Sequence, residues 1–153
     1  PLIDFKISNK IIEFFISNQN KYDYVSNDAA LYNNNFGASC IIGFNTKVFT
    51  SKILKKVDSL TDHPTDREHV VNFILNNEDI FKIHNYESEE KFNRKDIRLT
   101  LDYPEDYQII KKIFEELYPL NNDFSAGDII EYLDKNPKVK NINKNCVQQK
   151  YKY

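Results

Sequence analysis

The sequence predicts an α/β fold, in which a mixed sheet is flanked by helices. Segments with the alternating hydrophobicity of strands are followed by segments whose apolar residues recur at helical spacing. Strands that alternate with helices in this way are typical of α/β proteins. No internal repeat is visible, and the length suits a single domain, residues 1–153, with an ordinary hydrophobic core.

The first half of the chain contains two predicted helices and two predicted strands. Asp4 can cap the first helix, whose inner face carries Ile7, Ile11, Phe14 and Phe15. A strand at 22–26, a polar loop at 27–37 and a strand at 41–49 that Gly43 interrupts come next. Thr50 or Ser51 then caps a second helix. The inner face of this helix carries Ile53, Leu54, Val57 and Leu60.

The second half has two capping boxes at predicted helix starts. Thr65 with Glu68 begins one helix, and Ser125 with Asp128 begins another. The remaining elements are a strand at 79–86, a charged connection at 87–95, a short helix opened by Pro137 and a tail at 138–153. This tail has five lysines and no acid, and we interpret it as a solvated end rather than as an arm on an acidic partner.

Between these elements, residues 96–107 join a strand to the start of a helix. Hydrophobic residues alternate with polar ones up to Asp102, and Pro104 then suits the first helical position, where its missing N–H would be unbonded anyway. The strand is expected to bury Ile97, Leu99 and Leu101, and the helix Tyr107, Ile110, Ile113, Phe114 and Leu117. Asp102 thus lies at a strand-to-helix junction, where open α/β sheets bind ligands. Spacing alone favours the simpler interpretation that it only supports the helix start.

Charge and composition exclude several classes of function. A net charge of −2 gives no general attraction to nucleic acid or to an anionic membrane, so no partner of either kind is expected. No apolar run reaches the length of a membrane span. Cys40 and Cys146 lack the spacing of a disulfide or zinc framework and indicate free thiols. We therefore expect a cytoplasmic protein.

Familiar catalytic patterns are missing from the sequence. His63, His69 and His84 have no metal-ligand spacing, and no serine lies in a Gly-x-Ser-x-Gly turn. With only 3 glycines, the chain has no glycine-rich phosphate loop. Asp102 is left as a candidate ligand for a hard cation such as Mg²⁺, which binds one or two carboxylates together with substrate phosphates.

Five stretches in order carry a resemblance to a known family. They are PLID at 1–4, YDYVSN at 22–27, GFNTKVF at 43–49, DREHV at 66–70 and RLTLDYPED at 98–106, with a family-like end at 137–143. In this order the chain resembles the C-terminal part of the cytidylyltransferases that make CMP-sugars. The likeness is to the spore-coat polysaccharide branch, which is related to the CMP-sialate and CMP-Kdo synthetases.

The resemblance implies a Rossmann-like nucleotidyltransferase fold. In such enzymes a sugar hydroxyl attacks the α-phosphorus of CTP and releases pyrophosphate, while Mg²⁺ neutralises the phosphates. Two aspartates hold the metal, and Asp102 matches the second of them. The first would lie just upstream of residue 1. The resemblance also implies that Asn27, Asn45, Arg67 and His69 lie on the substrate side.

Two of these substrate-side regions have simpler interpretations. At Asn45 and Lys47 the relatives have two acids. If those acids contact sugar hydroxyls, the changed charge would change which sugar is accepted. Alternatively, both side chains simply face solvent. Arg67 could pair with a phosphate or a sugar carboxylate through bidentate hydrogen bonds. Alternatively, Arg67 and His69 form surface ion pairs beside Asp66 and Glu68.

The family's N-terminal nucleotide-binding half does not match any part of residues 1–153. We therefore expect this chain to be inactive alone and to supply the sugar and metal side of a longer or split enzyme. The alternative is a non-catalytic assembly module whose apolar surface is covered by a partner or by a second copy in a homodimer. A nucleotidyltransferase for another base is a third interpretation, because base recognition lies in the half that is not matched.

Overall fold

A computed structural model describes residues 2–28 and 41–147. These residues divide into two compact units. We call the first the sheet unit, with residues 6–28 and 45–88, and the second the helical unit, with residues 2–5, 41–44 and 89–147. The predicted loop lies outside the described residues from position 29 onward, as do Cys40 and the end of the tail from position 148.

The described part of the chain contains both helices and short strands, so the predicted α/β class is confirmed. The strands are β1 (Tyr24–Ser26), β2 (Lys47–Phe49) and β3 (Ile83–Asn85). The helices are α1 (Phe5–Ser17), α2 (Ser51–Leu60), α3 (Pro64–Glu68), α4 (Val70–Leu75), α5 (Pro104–Leu117), α6 (Ala126–Lys135) and α7 (Pro137–Lys140), with a 3₁₀ turn at Glu90–Phe92.

The sheet unit is built around a three-stranded mixed sheet with the order β2-β1-β3. Val25 of β1 lies opposite Val48 in the antiparallel pair and opposite His84 in the parallel pair. Side chains alternate between the faces of a sheet, so Tyr24 and Val25 enter different cores. Tyr24 packs with buried residues of α2 and α4, and Val25 packs with Ile11 and Phe15 of α1. The predicted mixed sheet between helices is confirmed.

Residues 41–49 do not form one continuous strand, and the interruption expected at Gly43 is confirmed. In the helical unit, Ile42 makes an isolated parallel bridge with Arg98, while in the sheet unit β2 begins only at Lys47. Between them the Phe44 N–H donates to the Ile41 carbonyl at 3.0 Å, and Gly43 adopts a φ of +113°. This positive φ, which glycine tolerates and other residues resist, turns the chain out of the extended conformation.

The capping box predicted at Thr65 is wrong. The helix α3 begins at Pro64, and Thr65 lies inside it. The helix ends at Glu68, and the next residue, His69, has a φ of −122° and a ψ of 63°, which are not helical and separate α3 from α4. By contrast, the box at Ser125 is confirmed, since its Oγ accepts from the Asp128 N–H and the Asp128 carboxylate accepts from the Ser125 N–H.

Two predicted apolar faces are only partly buried. In α2, Ile53 and Val57 are buried, whereas Leu54 and Leu60 are exposed. In α5, which packs with α6 and α7, the buried face consists of Asp106, Ile109, Ile110 and Ile113, and Tyr107 and Phe114 are exposed. The buried face of α5 is rotated from the expected one because it includes the carboxylate of Asp106.

Candidate functional site

Asp102 lies in the helical unit, between the bridge at Arg98 and the start of α5. The buried guanidinium of Arg98 reaches it, with Nη2 donating to Asp102 Oδ2 at 2.7 Å. The strand predicted before Asp102 does not form. Residues 96–103 have a single bridge, at Arg98, and bends from Leu101 onward. Ile97 and Leu99 are buried as expected, but Leu101 is 52% exposed, because the extended conformation has ended before it.

Asp106 is the centre of the polar network around this junction. It is completely buried, and its two oxygens accept from Arg98 at 3.1 and 3.2 Å. Oδ2 also accepts from Thr100 Oγ1 and from the backbone N–H groups of Asp102 and Tyr103. Thus the carboxylate that caps α5 also fixes the backbone on which Asp102 sits.

Asn143, just after α7, completes the network. Its Nδ2 donates to Asp106 Oδ1 at 2.7 Å and to the Arg98 carbonyl at 2.9 Å. Burial alone would raise the pKa of Asp106, but the hydrogen bonds from Arg98 and Asn143 lower it below its ordinary value. Burial likewise opposes the charge of Arg98, whose pKa is nevertheless raised by the hydrogen bonds to Asp106 and Asp102. Both groups are therefore charged at neutral pH.

The side chain of Asp102 suits one ligand position of a magnesium ion. It is 58% exposed, so solvent and ligands reach its carboxylate. Among residues 2–28 and 41–147, no group of three or more His, Cys, Asp or Glu side chains is placed to hold a metal. Because Mg²⁺ keeps several waters and uses one or two carboxylates with substrate phosphates, a single exposed aspartate fits that donor set.

Asn27 and Asn45 are brought together in the sheet unit, at the carboxyl end of β1. Asn27 is completely buried, and its Oδ1 accepts from the Thr46 N–H at 2.8 Å. The neighbouring Asp28 is also completely buried, and its Oδ2 accepts from Asn45 Nδ2 at 2.5 Å and lies 3.2 Å from Lys47 Nζ. Neither Asn45 nor Lys47 therefore simply faces solvent.

Sequence reasoning missed Asp28, although a signal for it was present. Asp102 is a candidate because it is an acid at the end of a predicted strand. Asp28 has a similar position, two residues after the strand predicted at 22–26. From local sequence alone, Asp106 is only a negative charge in a first helical turn, where the helix dipole favours it. Its burial could not be predicted, because it depends on Arg98 and on Asn143, which is 37 residues away.

Arg67 and His69 lie where α3 meets α4 in the sheet unit. The guanidinium of Arg67 is half-exposed and lies 2.7 Å from Asp58 and 3.7 Å from Asp62. It lines a cavity of about 360 Å³ that α2, α3 and α4 enclose. His69 Nε2 lies 3.8 Å from the Glu68 carboxylate. Arg67 thus pairs with acids of α2 and the turn after it, rather than with its immediate neighbours.

Comparison with solved structures decides which proteins this chain resembles. A cytidylyltransferase from Leptospira borgpetersenii serovar Hardjo-bovis superimposes with a TM-score of 0.76 and 31% identity, over 98% of this chain and 56% of that one. The resemblance to the cytidylyltransferases is confirmed. The mixed sheet and helices are accordingly those of a nucleotidyltransferase-like fold.

Two curated proteins are also similar to this cytidylyltransferase-like chain. An uncharacterised protein of Methanocaldococcus jannaschii is 32% identical over 152 residues, which are 99% of this chain and 57% of that protein. The spore coat polysaccharide biosynthesis protein SpsF of Bacillus subtilis is 25% identical over 140 residues, which are 90% of this chain and 52% of SpsF. The chain spans about half the length of the curated relatives it matches, and no family model matches it.

No helix in the described part of the chain is both long and apolar enough to cross a membrane.

Proposed function

We propose that the chain is part of a Mg²⁺-dependent cytidylyltransferase that makes a CMP-sugar and pyrophosphate from CTP and a sugar, for surface polysaccharide or glycan synthesis. The observation that carries the proposal is the likeness to a cytidylyltransferase over 98% of the chain. The similarity to SpsF supports a role in polysaccharide synthesis. We further propose that residues 1–153 are the C-terminal portion of the nucleotidyltransferase domain, and that the protein works in the cytoplasm, where the free thiol of Cys146 would stay reduced.

Asp102 is the proposed metal ligand of this chain. Its exposure and its place before α5 support that role, and Arg98 holds one of its oxygens in a fixed direction. When bound, Mg²⁺ would neutralise the phosphates of CTP. The network of Asp106 and Asn143 keeps the backbone of Asp102 in place. A second metal-binding acid is proposed outside residues 1–153.

Within the sheet unit, the residues proposed to contact the sugar are Asn27, Asn45, Arg67 and His69. Asn27 and Asn45 are supported by their shared position at the carboxyl end of β1, the edge at which α/β sheets bind ligands. Arg67 is supported by the cavity that it lines. The ion pair of Arg67 with Asp58 supports a different role for Arg67 as well. In that role its guanidinium binds no substrate and only links α3 to α2.

An Asp102→Asn substitution in the complete protein tests this function. We expect pyrophosphate release from CTP to fall at least about tenfold, because an amide is a poor ligand for Mg²⁺ but keeps the size of the side chain. The assay would contain CTP, Mg²⁺ and either sialic acid or Kdo, the sugars of the two related synthetases. The control is Asp134→Asn, another exposed aspartate that pairs with an arginine. Unchanged release in the Asp102 variant would contradict the metal role.

A second candidate function is assembly with a second copy of the chain. Tyr107, Phe114 and Tyr118 recur at intervals of seven and four positions, which places them on one face of α5 and its end, and all three are exposed. Leu120 is 84% exposed just beyond them. We expect a homodimer that covers this face, and Tyr107→Lys with Phe114→Lys should convert it to a monomer in sedimentation equilibrium. A monomeric wild-type chain would contradict the assembly candidate.

A further inference from the structure

Four polar residues form what we call the β1 polar cluster: Ser26, Asp28, Asn45 and Lys47. Ser26 lies directly opposite Lys47 in the antiparallel pair, so their side chains share a face of the sheet. Asp28, two residues further along β1's direction, contacts both Asn45 and Lys47. The cluster therefore occupies the carboxyl end of β1, just beyond the core around Tyr24.

Two oxygen atoms of the cluster are buried without a hydrogen bond from the described residues. They are Oδ1 of Asp28 and Oγ of Ser26, and both side chains are completely buried. Only the other carboxylate oxygen of Asp28 is bonded within the cluster. Buried polar atoms of native proteins nearly always have a partner, and leaving an acceptor unbonded is unfavourable. These atoms therefore indicate a place for a group that donates hydrogen bonds.

We propose that the β1 polar cluster binds hydroxyl groups of a sugar, with Asp28 accepting and Lys47 donating hydrogen bonds. This proposal rests on the proposed function, because it assigns the cluster to the sugar substrate. It names Asp28, Ser26 and Lys47 as residues that determine which sugar is accepted.

The charges of the cluster select this class of ligand over the others. A ligand carboxylate or phosphate would meet the negative charge of Asp28, and a cation would meet the ammonium of Lys47, which already lies 3.2 Å from Asp28. A neutral hydroxyl meets neither obstacle. Since a hydroxyl both donates and accepts, neighbouring hydroxyls of a sugar ring can satisfy Asp28 Oδ1, Ser26 Oγ and the Lys47 ammonium together.

The test is the binding of free sugars to the full chain. Binding is measured by the shifts of backbone amide signals in NMR spectra. The probes are sialic acid, Kdo, glucose and mannose, with Mg²⁺ and methylammonium as cation probes. We expect at least one sugar to shift the amides of residues 26–28 and 45–47. Asp28→Asn should weaken that binding about tenfold or more, since hydrogen bonds to a charged group are the stronger ones.

The matched control is Asp23→Asn, at the other end of β1, where the carboxylate accepts from the Lys82 N–H. This variant should bind the sugar as the wild type does. If Asp28→Asn fails to fold, Ser26→Ala replaces it, because it removes the unbonded hydroxyl and keeps the ion pair. Ser26→Ala should weaken binding about threefold or more.

Several results would overturn the proposal. They are no shift with any of the four sugars, shifts with the cations alone, or equal affinity in the wild type and the folded Asp28 or Ser26 variant. The measurement uses neither CTP nor Asp102, so its failure is separate from failure of the proposed function. Sugar binding that depends on Asp28, together with no pyrophosphate release from CTP by the complete wild-type protein, would retain the sugar site and reject the cytidylyl transfer.

Discussion

The Asp106→Asn variant should unfold in urea with a free energy about 3–5 kcal/mol below that of the wild type at pH 7, because it leaves the buried charge of Arg98 without its partner. Asp106 accepts hydrogen bonds from six donor atoms of Arg98, Thr100, Asp102, Tyr103 and Asn143. Both carboxylate oxygens are used. An amide would point its NH₂ group at one set of these donors.

The pH dependence of this difference provides a second readout. The folded pKa of Asp106 is lowered, since the hydrogen bonds from Arg98 and Asn143 outweigh burial, which alone would raise it. Its stabilising effect is therefore complete above the unfolded carboxyl pKa of about 3.9 and is lost as the pH falls through the lower folded value. The difference in unfolding free energy between wild type and variant should shrink as the pH is lowered below about 4.

Asp134→Asn is the matched control for this substitution. Asp134 also makes two hydrogen bonds with an arginine, Arg94, but the side chain is 45% exposed. Exposed ion pairs contribute little, so a loss of at most about 1 kcal/mol is expected. Equal losses in the two variants, or a difference that does not change with pH, would contradict the central role of Asp106.

Features set by neighbouring residues could be predicted from the sequence. Thr50 caps α2, Ser125 and Asp128 form a capping box, and Pro104 and Pro137 open helices, as predicted. Each of these signals acts within about one helical turn. The order of strands and helices follows from the same local patterns, so these patterns are enough to predict the fold class.

Features that depend on distant residues could not be predicted. The burial of Asp106 requires Asn143, and the contacts of Asp28 require Lys47 of β2 and Asn45, which precedes that strand. The exposed Tyr107 has the spacing of a core residue, because periodicity shows that a helix has an apolar face but not which part of that face is covered. For the candidate site, the sequence therefore indicated Asn27, Asn45 and Asp102 but not their partners.

Gly43→Ala should lower the free energy of unfolding by more than about 2 kcal/mol, because the left-handed region itself disfavours a residue with a Cβ by roughly 1–2 kcal/mol and a clash is added. The φ of Gly43 is +113°, and a Cβ built there would lie 2.5 Å from the backbone carbon and oxygen of Leu99. Neither Leu99 atom can rotate away. The Leu99 N–H also donates to the Ile42 carbonyl at 2.7 Å, so moving this segment would strain the bridge of the helical unit.

Gly127→Ala in α6 separates the effect of position from that of the residue type. A Cβ there would meet only the Ser125 hydroxyl oxygen at 3.4 Å, in ordinary helical backbone. Because alanine favours helix over glycine, this variant should match the wild type or gain up to about 1 kcal/mol in urea unfolding. A lower unfolding free energy in Gly43→Ala, without a loss in Gly127→Ala, would show that the backbone at Gly43 requires glycine. A Gly43→Ala protein as stable as the wild type would mean that residues 41–44 lack the turn that separates the Ile42 bridge from β2.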